Sequence, residues 1–265
     1  MKEKRLDARG IRRFWKERAK RYGLSHEASW TDRPMIELET REISRRLDGG
    51  DRVLDVGCGN GYTTVRLASQ KHIDIHGVDV TSEMIKNARE RLRRQPALSR
   101  NVQFRIGDIR SLKGPDAVFD KVIAVRVLIN LFGVADHRRA LSECARVLKP
   151  GGKLLVSEAM MEGWERLNEF RTEWELEEIP MPSFNNYLKE KDLLRLASVH
   201  FRLVETSHFS SSYFVGTRIL KPLLNRLLKK GMNATEPMTH WNRWCSSLPA
   251  CGDYGPQKLF VFEKR

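Results

Sequence analysis

The 265-residue sequence predicts an α/β fold, a parallel sheet with helices on both faces. Three observations carry this. Short apolar runs such as 122–125 and 127–129 alternate with segments of helical spacing. The connections between them are short, as in strand–helix–strand units. One strand-like run, 52–56, opens directly into Gly57-Cys-Gly-Asn-Gly61.

The elements follow in order. Ile11, Phe14, Trp15 and Ala19 have helical spacing with Arg and Lys between them. A second helix is expected over 34–47, with Asp32 as its cap and Pro34 in its first turn. These make 1–47 a basic helical N-terminal extension. Strands are expected at 52–56, 73–79, 101–106, 119–125 and 153–157. Helices are expected at 62–69, from 81 onward and at 136–148, with a turn at 150–152. Residues 48–265 then form the main domain, with insertions at about 160–198 and 207–256. A helix is expected at 189–198, and strands at 201–206 and 257–263. No internal repeat or low-complexity tract is present.

Composition narrows the class. Charged residues are 31% and apolar residues 40%, a polar but globular balance. No apolar run approaches the ~20 residues of a membrane span. The mixed-charge start, Met1 to Arg5, does not read as a secretory signal. Cys58, Cys144, Cys245 and Cys251 are too few and scattered for a disulfide framework, and the spacing of the last two does not call for zinc. The expected compartment is the cytoplasm, and no metal is expected. The net charge of +14 favours anionic partners, among them nucleic acid, phosphorylated metabolites and an anionic membrane face.

The glycine loop holds the strongest chemistry. A strand feeding glycines feeding a helix lets a ligand approach backbone amides. Asp79 lies 24 positions after Asp55, at the end of the second strand, where a carboxylate can accept from both hydroxyls of a ribose. Asp108 ends the third strand. The dinucleotide fingerprint needs glycine at position 62, which is Tyr62, and there is no phosphate-cradling G-x-x-x-x-G-K-[ST].

Leu54-Asp-Val-Gly-Cys-Gly-Asn-Gly61, Val78-Asp79, Gly107-Asp108 and Leu148-Lys-Pro-Gly-Gly-Lys153 together resemble the class I S-adenosylmethionine-dependent methyltransferases, over roughly 50–160. The resemblance implies a Rossmann-like seven-stranded, mostly parallel sheet with an antiparallel last strand. It implies S-adenosylmethionine as cofactor, held by Asp55, Gly57, Cys58, Gly59, Asn60, Gly61, Asp79, Val80, Asp108, Ile109, Val125 and Arg126. In the family the glycine loop passes under the methionine and ribose. The acid matching Asp79 binds the ribose hydroxyls, and the one matching Asp108 meets the adenine amino group.

The acceptor is less defined. The 125–131 segment lacks the Asn-Pro-Pro-Tyr or Asp-Pro-Pro-Tyr motif of many enzymes that methylate base amino groups. Leu128 to Leu131, Leu167 to Arg171 and Asn185 to Leu188 are similar to bacterial methyltransferases of small metabolites and polysaccharides. The resemblance therefore implies methyl transfer to oxygen or nitrogen of a small-molecule or saccharide acceptor. An RNA methyltransferase and a non-catalytic cofactor-binding partner subunit stand as alternatives. Arg126, where an acid is expected, points to an anionic acceptor. Candidate bases are His137, His200, His208 and His240, with Tyr187 and Tyr213 as polar anchors. His208 and Tyr187 are the expected catalytic pair, because His208 follows a strand at the cofactor edge of the sheet and an imidazole titrates near neutral pH. Residues 160–190 and 207–250 are expected to form a lid over the acceptor. Their Trp164, Trp174, Trp241 and Trp244 serve equally well as a subsidiary core. Phe14, Trp15 and Tyr22 either lie on a solvated basic helix or close over the cofactor. The basic stretch Arg89 to Arg94 is a solvated helix face or an RNA contact.

Overall fold

The apolar runs assemble into one sheet. A computed structural model describes residues 5–228 and 236–265; residues 1–4 of the charged N-terminus and 229–235 of the second insertion lie outside the described residues. The strands are β1 (Arg52–Val56), β2 (Asp74–Asp79), β3 (Val102–Ile106), β4 (Phe119–Val125), β5 (Leu148–Ala159), β6 (Phe201–Ser207) and β7 (Gln257–Lys264). Their order is β3-β2-β1-β4-β5-β7-β6. The first five run parallel, and β7 is antiparallel to both β5 and β6.

Burial explains the order. Val53, Leu54, Asp55 and Val56 of β1 are all buried, as a central strand covered on both faces requires. At the edge, β3 buries Val102 and Phe104 but exposes Gln103, Arg105 and Ile106. The helices are α1 (Ala8–Tyr22), α2 (Arg33–Ser44), α3 (Tyr62–Gln70), α4 (Ser82–Arg93) and α5 (Gly133–Val147). Then come α6 (Met161–Glu173), α7 (Glu190–Ala197), α8 (Ser211–Val215), α9 (Lys221–Leu227) and α10 (His240–Cys245). Met35, Leu38, Val65, Leu67 and Ile85 from α2–α4 share one core cluster, while Leu141, Cys144, Leu193 and Leu196 from α5 and α7 share the other.

Asp32 caps α2, accepting from Met35 N at 3.2 Å. α2 stops at Ser44, three residues before the expected end, and α5 starts at Gly133, three before its expected start. The turn expected at 150–152 sits inside β5 as a bulge. Pairing with β4 jumps from Phe119↔Leu148 to Lys121↔Lys153, and Lys149, Pro150 and Gly151 are exposed.

The strand order reverses between β1 and β4, and the loops that leave their carboxyl ends diverge there. Ligands of open α/β sheets bind in the crevice at such a switch point.

Candidate functional site

A cavity opens at that crevice. Eleven of the twelve residues assigned to the cofactor line it: Asp55, Gly57, Cys58, Gly59, Asn60, Asp79, Val80, Asp108, Ile109, Val125 and Arg126. Gly61 does not. It adopts a left-handed conformation (φ +72°) at the start of α3, and an added Cβ would stand 2.7 Å from Phe104 Cζ. Its glycine serves helix–sheet packing. Gly57 lines the cavity with φ +72°, and a Cβ there would fall 2.2 Å from Val127 Cγ2. The glycine loop and the loop after β4 meet only because that side chain is missing.

The acids define the electrostatics. Asp55 is buried and accepts from Thr64 Oγ1 at 2.6 Å; burial pushes its carboxyl up to about 7. Asp79 accepts from Gly59 N at 3.0 Å and Thr81 N at 2.8 Å, and burial also raises it. Among the described residues neither acid has an ion-pair partner, so a buried carboxylate, Asp55, and a half-buried one, Asp79, line the cavity without a protein cation. Each retains lone pairs for a ligand. Asp108 differs. Arg110 grips both of its oxygens, at 3.0 and 2.7 Å, and holds its carboxyl below the usual range. Arg110 also reaches Asp136 at 2.7 Å. The remaining wall is apolar at Val80, Met84, Ile109 and Leu131.

The cavity is covered by α1, through Ala8, Ile11, Arg12 and Trp15. Asn60 fastens the glycine loop to the chain that follows this helix, its Nδ2 donating to Gly23 O and Ser25 O, both at 2.8 Å. Asn87 Nδ2 donates to Ala19 O at 2.9 Å. Phe14 stacks on Phe184 at 4.1 Å, and Leu6 N donates to Ser183 O at 2.9 Å. The expected lid segments 160–190 and 207–250 contribute no residue to this cavity. Trp164 and Trp241 pack inward with their indole N–H groups on Ile179 O and Gly216 O, as a subsidiary core would have them, while Trp174 and Trp244 are exposed.

The loop after β4 is set by two acids that the sequence did not single out. Glu158, fully buried in β5, accepts from Val127 N at 2.7 Å, Leu128 N at 2.6 Å and Ile129 N at 3.5 Å. Burial raises its carboxyl to about 8. Glu39 of α2 pairs with Arg126 and accepts from Gln257 Nε2 at 3.0 Å. Arg126 has φ +54° and lies over the Trp30 ring, 5.0 Å from its centroid. Its charge is met inside the protein, which removes the argument that it marks an anionic acceptor. The local signal for Glu158 is an acid in a largely apolar strand run, whereas Glu39 sits in a helix beside Glu37 and Glu42 with nothing local to set it apart.

The expected catalytic pair does not reach the cavity. β6 proves to be the far edge strand, so His208 lies away from the switch point and meets Asp253 Oδ1 at 2.8 Å. Asp253 also binds the fully buried Lys258, which pairs with Glu190. Tyr187 lines a second cavity between α5, α7 and 186–189, and burial raises its hydroxyl to about 12. His137 lines the same cavity, with Nε2 2.9 Å from Leu128 O. Neither His200 nor His240 lines either cavity. Tyr213 is buried, donating to Asp32 and accepting from Asn242 Nδ2 at 3.2 Å. Arg89 bonds Phe104 O, and Arg91 bonds Asn60 O and Leu24 O, so this part of α4 is tied to the fold.

Comparison with known proteins agrees with this geometry. Residues 53–152 match the family described as a methyltransferase domain. The chain is 32% identical over 143 residues to the 27-O-demethylrifamycin SV methyltransferase of Amycolatopsis mediterranei, covering 51% of each. The match therefore spans about half the length of that relative. It is 29% identical to the O-methyltransferase resE of Aspergillus sclerotiorum over 80% of this chain and 78% of the other. A solved Pyrococcus horikoshii protein superposes with a TM-score of 0.59 at 22% identity, over 88% of this chain and 91% of its own, which shows a shared fold. Motifs, sheet order and sequence matches converge on residues 53–152, which match the methyltransferase-domain family and carry the class I S-adenosylmethionine-dependent motifs.

Proposed function

We propose that the protein transfers a methyl group from S-adenosylmethionine to an oxygen of a small-molecule acceptor. The observation that carries the cofactor is the pair of cation-free carboxylates on the cavity wall, Asp55 buried and Asp79 half-buried. A buried carboxylate without a countercharge is costly, and a cationic ligand relieves that cost. S-adenosylmethionine brings an ammonium and a sulfonium that activates its methyl group. In this reading Asp79 accepts from the ribose hydroxyls, Asp55 and the glycine loop hold the methionine portion, and Val80, Met84 and Ile109 flank the adenine. Asp108, already tied to Arg110, offers its remaining lone pairs to the adenine amino group.

The acceptor then enters beside Arg126, Asn130 and Leu131. Alignment of its oxygen with the methyl group supplies the rate. Oxygen is preferred because several of the relatives, rstn1, cnsE and resE among them, are named as O-methyltransferases; transfer to nitrogen is the alternative. No histidine among the described residues lines this cavity, so the reading assigns no protein base and fits an acceptor with an acidic hydroxyl.

The test is transfer of labelled methyl from S-adenosylmethionine into fractionated cell extract, with and without nuclease, using Asp79→Ala as control. Nuclease-resistant label in low-mass material, absent with the variant, supports the proposal. Label removed by nuclease makes RNA the acceptor instead. Tight cofactor binding with no transfer into any fraction identifies a non-catalytic subunit.

A further inference from the structure

The second cavity lies beside the first and shares a wall with it: Leu131 and Phe132 line both. Its volume is about 400 Å³, within the range of small-molecule sites. The floor is apolar. Leu141 of α5 and Leu193 and Leu196 of α7 are buried there, with Leu128 from the loop after β4. Positions 193 and 196 stand three apart, so both side chains leave α7 on one face. Phe132, Val134 and Lys189 are exposed and mark the mouth.

One polar group stands in this apolar space without a partner. The Tyr187 hydroxyl is desolvated, yet it makes no hydrogen bond among the described residues. A tyrosine in such a place normally finds a partner. The segment that carries it is fixed on both sides. Asn186 N donates to Ile129 O at 3.0 Å, Leu188 N donates to Ala159 O at 3.2 Å, and Leu188 O accepts from Met161 N at 2.8 Å. His137 is fixed as well. Its Nε2 donates to Leu128 O, which leaves Nδ1 as an acceptor. The cavity therefore offers one preset donor, one acceptor and an apolar floor.

We propose that this second cavity takes an apolar arm of the methyl acceptor, a ring or short branched chain whose carbonyl or ether oxygen accepts from the Tyr187 hydroxyl. This rests on the methyl-transfer reading above, in which the acceptor enters beside Leu131. From Leu131 the arm crosses Phe132 and reaches the leucine floor, while the oxygen to be methylated stays in the first cavity. Tyr187 is then a specificity residue. It selects acceptors that carry an oxygen on the arm and takes no part in the transfer. A hydrogen bond left unmade in a desolvated site discriminates against acceptors that lack that oxygen.

The probe is Prodan, a neutral naphthalene ketone whose emission moves to the blue when it leaves water. It is titrated into the full chain in saturating S-adenosylmethionine. The expected result is a saturable, blue-shifted complex with wild type. Tyr187→Phe removes only the hydroxyl and is expected to weaken that complex about fivefold. Val134→Asp puts a charge in the mouth, in the first turn of α5 where an acid suits the helix, and is expected to weaken it about threefold or more. Both variants are expected to keep the melting temperature and the cofactor Kd. In the labelled-methyl assay, with the most strongly labelled low-mass fraction as acceptor, both raise the apparent acceptor KM by similar factors. Prodan itself raises the apparent KM for acceptor and not for cofactor. Wild type that does not bind Prodan, or binding that either variant leaves unchanged, overturns the proposal. Weakened probe binding with an unchanged acceptor KM also overturns it and makes the cavity an effector site. Cofactor binding without transfer into any fraction is a separate failure: it overturns the methyl-transfer reading, and the arm with it, whatever Prodan does.

Discussion

The indole Nε1 of Trp15 donates to Oδ1 of Asn130 across 3.0 Å, joining the first helix to the loop that follows β4. Asn130 in turn donates through Nδ2 to Arg126 O at 2.7 Å. One side chain thus fixes both the cover of the cavity and the far wall. In the proposed function the cofactor lies under that bridge, since Trp15 and Asn130 both line the cavity. Trp15→Phe keeps an aromatic ring and removes the donor, a net loss of about 1 kcal/mol. Cofactor affinity is expected to fall about fivefold, with faster amide exchange across 8–22. Unchanged affinity together with unchanged exchange would rule out α1 as the cover.

Asp79 carries a larger share. Its carboxylate orders Gly59 N and Thr81 N and, in the proposed function, the ribose diol. Hydrogen bonds to a charged group are each worth about 1.5–3 kcal/mol. Asp79→Ala is expected to weaken S-adenosylmethionine binding by about 10- to 100-fold, and Asp79→Asn by less, since its amide retains one acceptor. Calorimetric titration decides; a change below about threefold would separate Asp79 from the ribose.

Much of this site was legible in the chain because it lies at strand ends. Asp55, Asp79 and Asp108 each sit in or just after a strand that an apolar run marks, and parallel strands bring their carboxyl ends to one edge of the sheet. What could not be read depends on partners distant in sequence. Trp15 and Asn130 are 115 positions apart, and Glu39 and Arg126 are 87 apart. Local periodicity gives α1 a basic face but does not say what it covers. His208 was misplaced for a related reason: the order β5-β7-β6 puts its strand at the far edge, and strand order is not a property of local pattern.

Asp55 predicts a pH dependence with a definite sign. Burial raises its folded value from 3.8 to about 7, so the fold favours the neutral acid. Its contribution to stability is full below about pH 4 and is lost as pH rises through about 7. The slope it can add is at most about 1.4 kcal/mol per pH unit. A cationic ligand prefers the ionised form, so cofactor affinity is expected to rise over the same interval. Thermal melts and binding titrations between pH 5 and 8, for wild type and Asp55→Asn, read both. Parallel curves for the two proteins would contradict the assignment.

His208 and Asp253 separate structure from turnover. His208 lies off the cavity, so His208→Ala is expected to keep kcat within about threefold. Asp253→Ala removes one of two carboxylates from the fully buried Lys258. Breaking a buried pair costs about 3–5 kcal/mol; Glu190 remains, and Asp253 is partly exposed, so about 1–3 kcal/mol is expected, seen as a lower melting temperature. A large loss of kcat in His208→Ala at unchanged cofactor affinity would restore it as the base.

Glu158 gives the sharpest test of the acceptor-side wall. One buried carboxylate satisfies three successive backbone amides, at Val127, Leu128 and Ile129, and Leu128 and Ile129 are themselves buried. Glu158→Ala leaves those donors without an acceptor, at about 1–3 kcal/mol for each buried group that finds no water. Glu158→Gln retains one carbonyl oxygen, which can serve Val127 and Leu128, the two that share Oε1. The expected order of stability is therefore wild type, then Gln, then Ala. Because Val127 packs into the gap at Gly57, the loss should also loosen the glycine loop and raise the KM for both substrates. Denaturant melts and steady-state kinetics on the three proteins measure this. If Gln and Ala prove equally stable, the carboxylate is not what orders the loop.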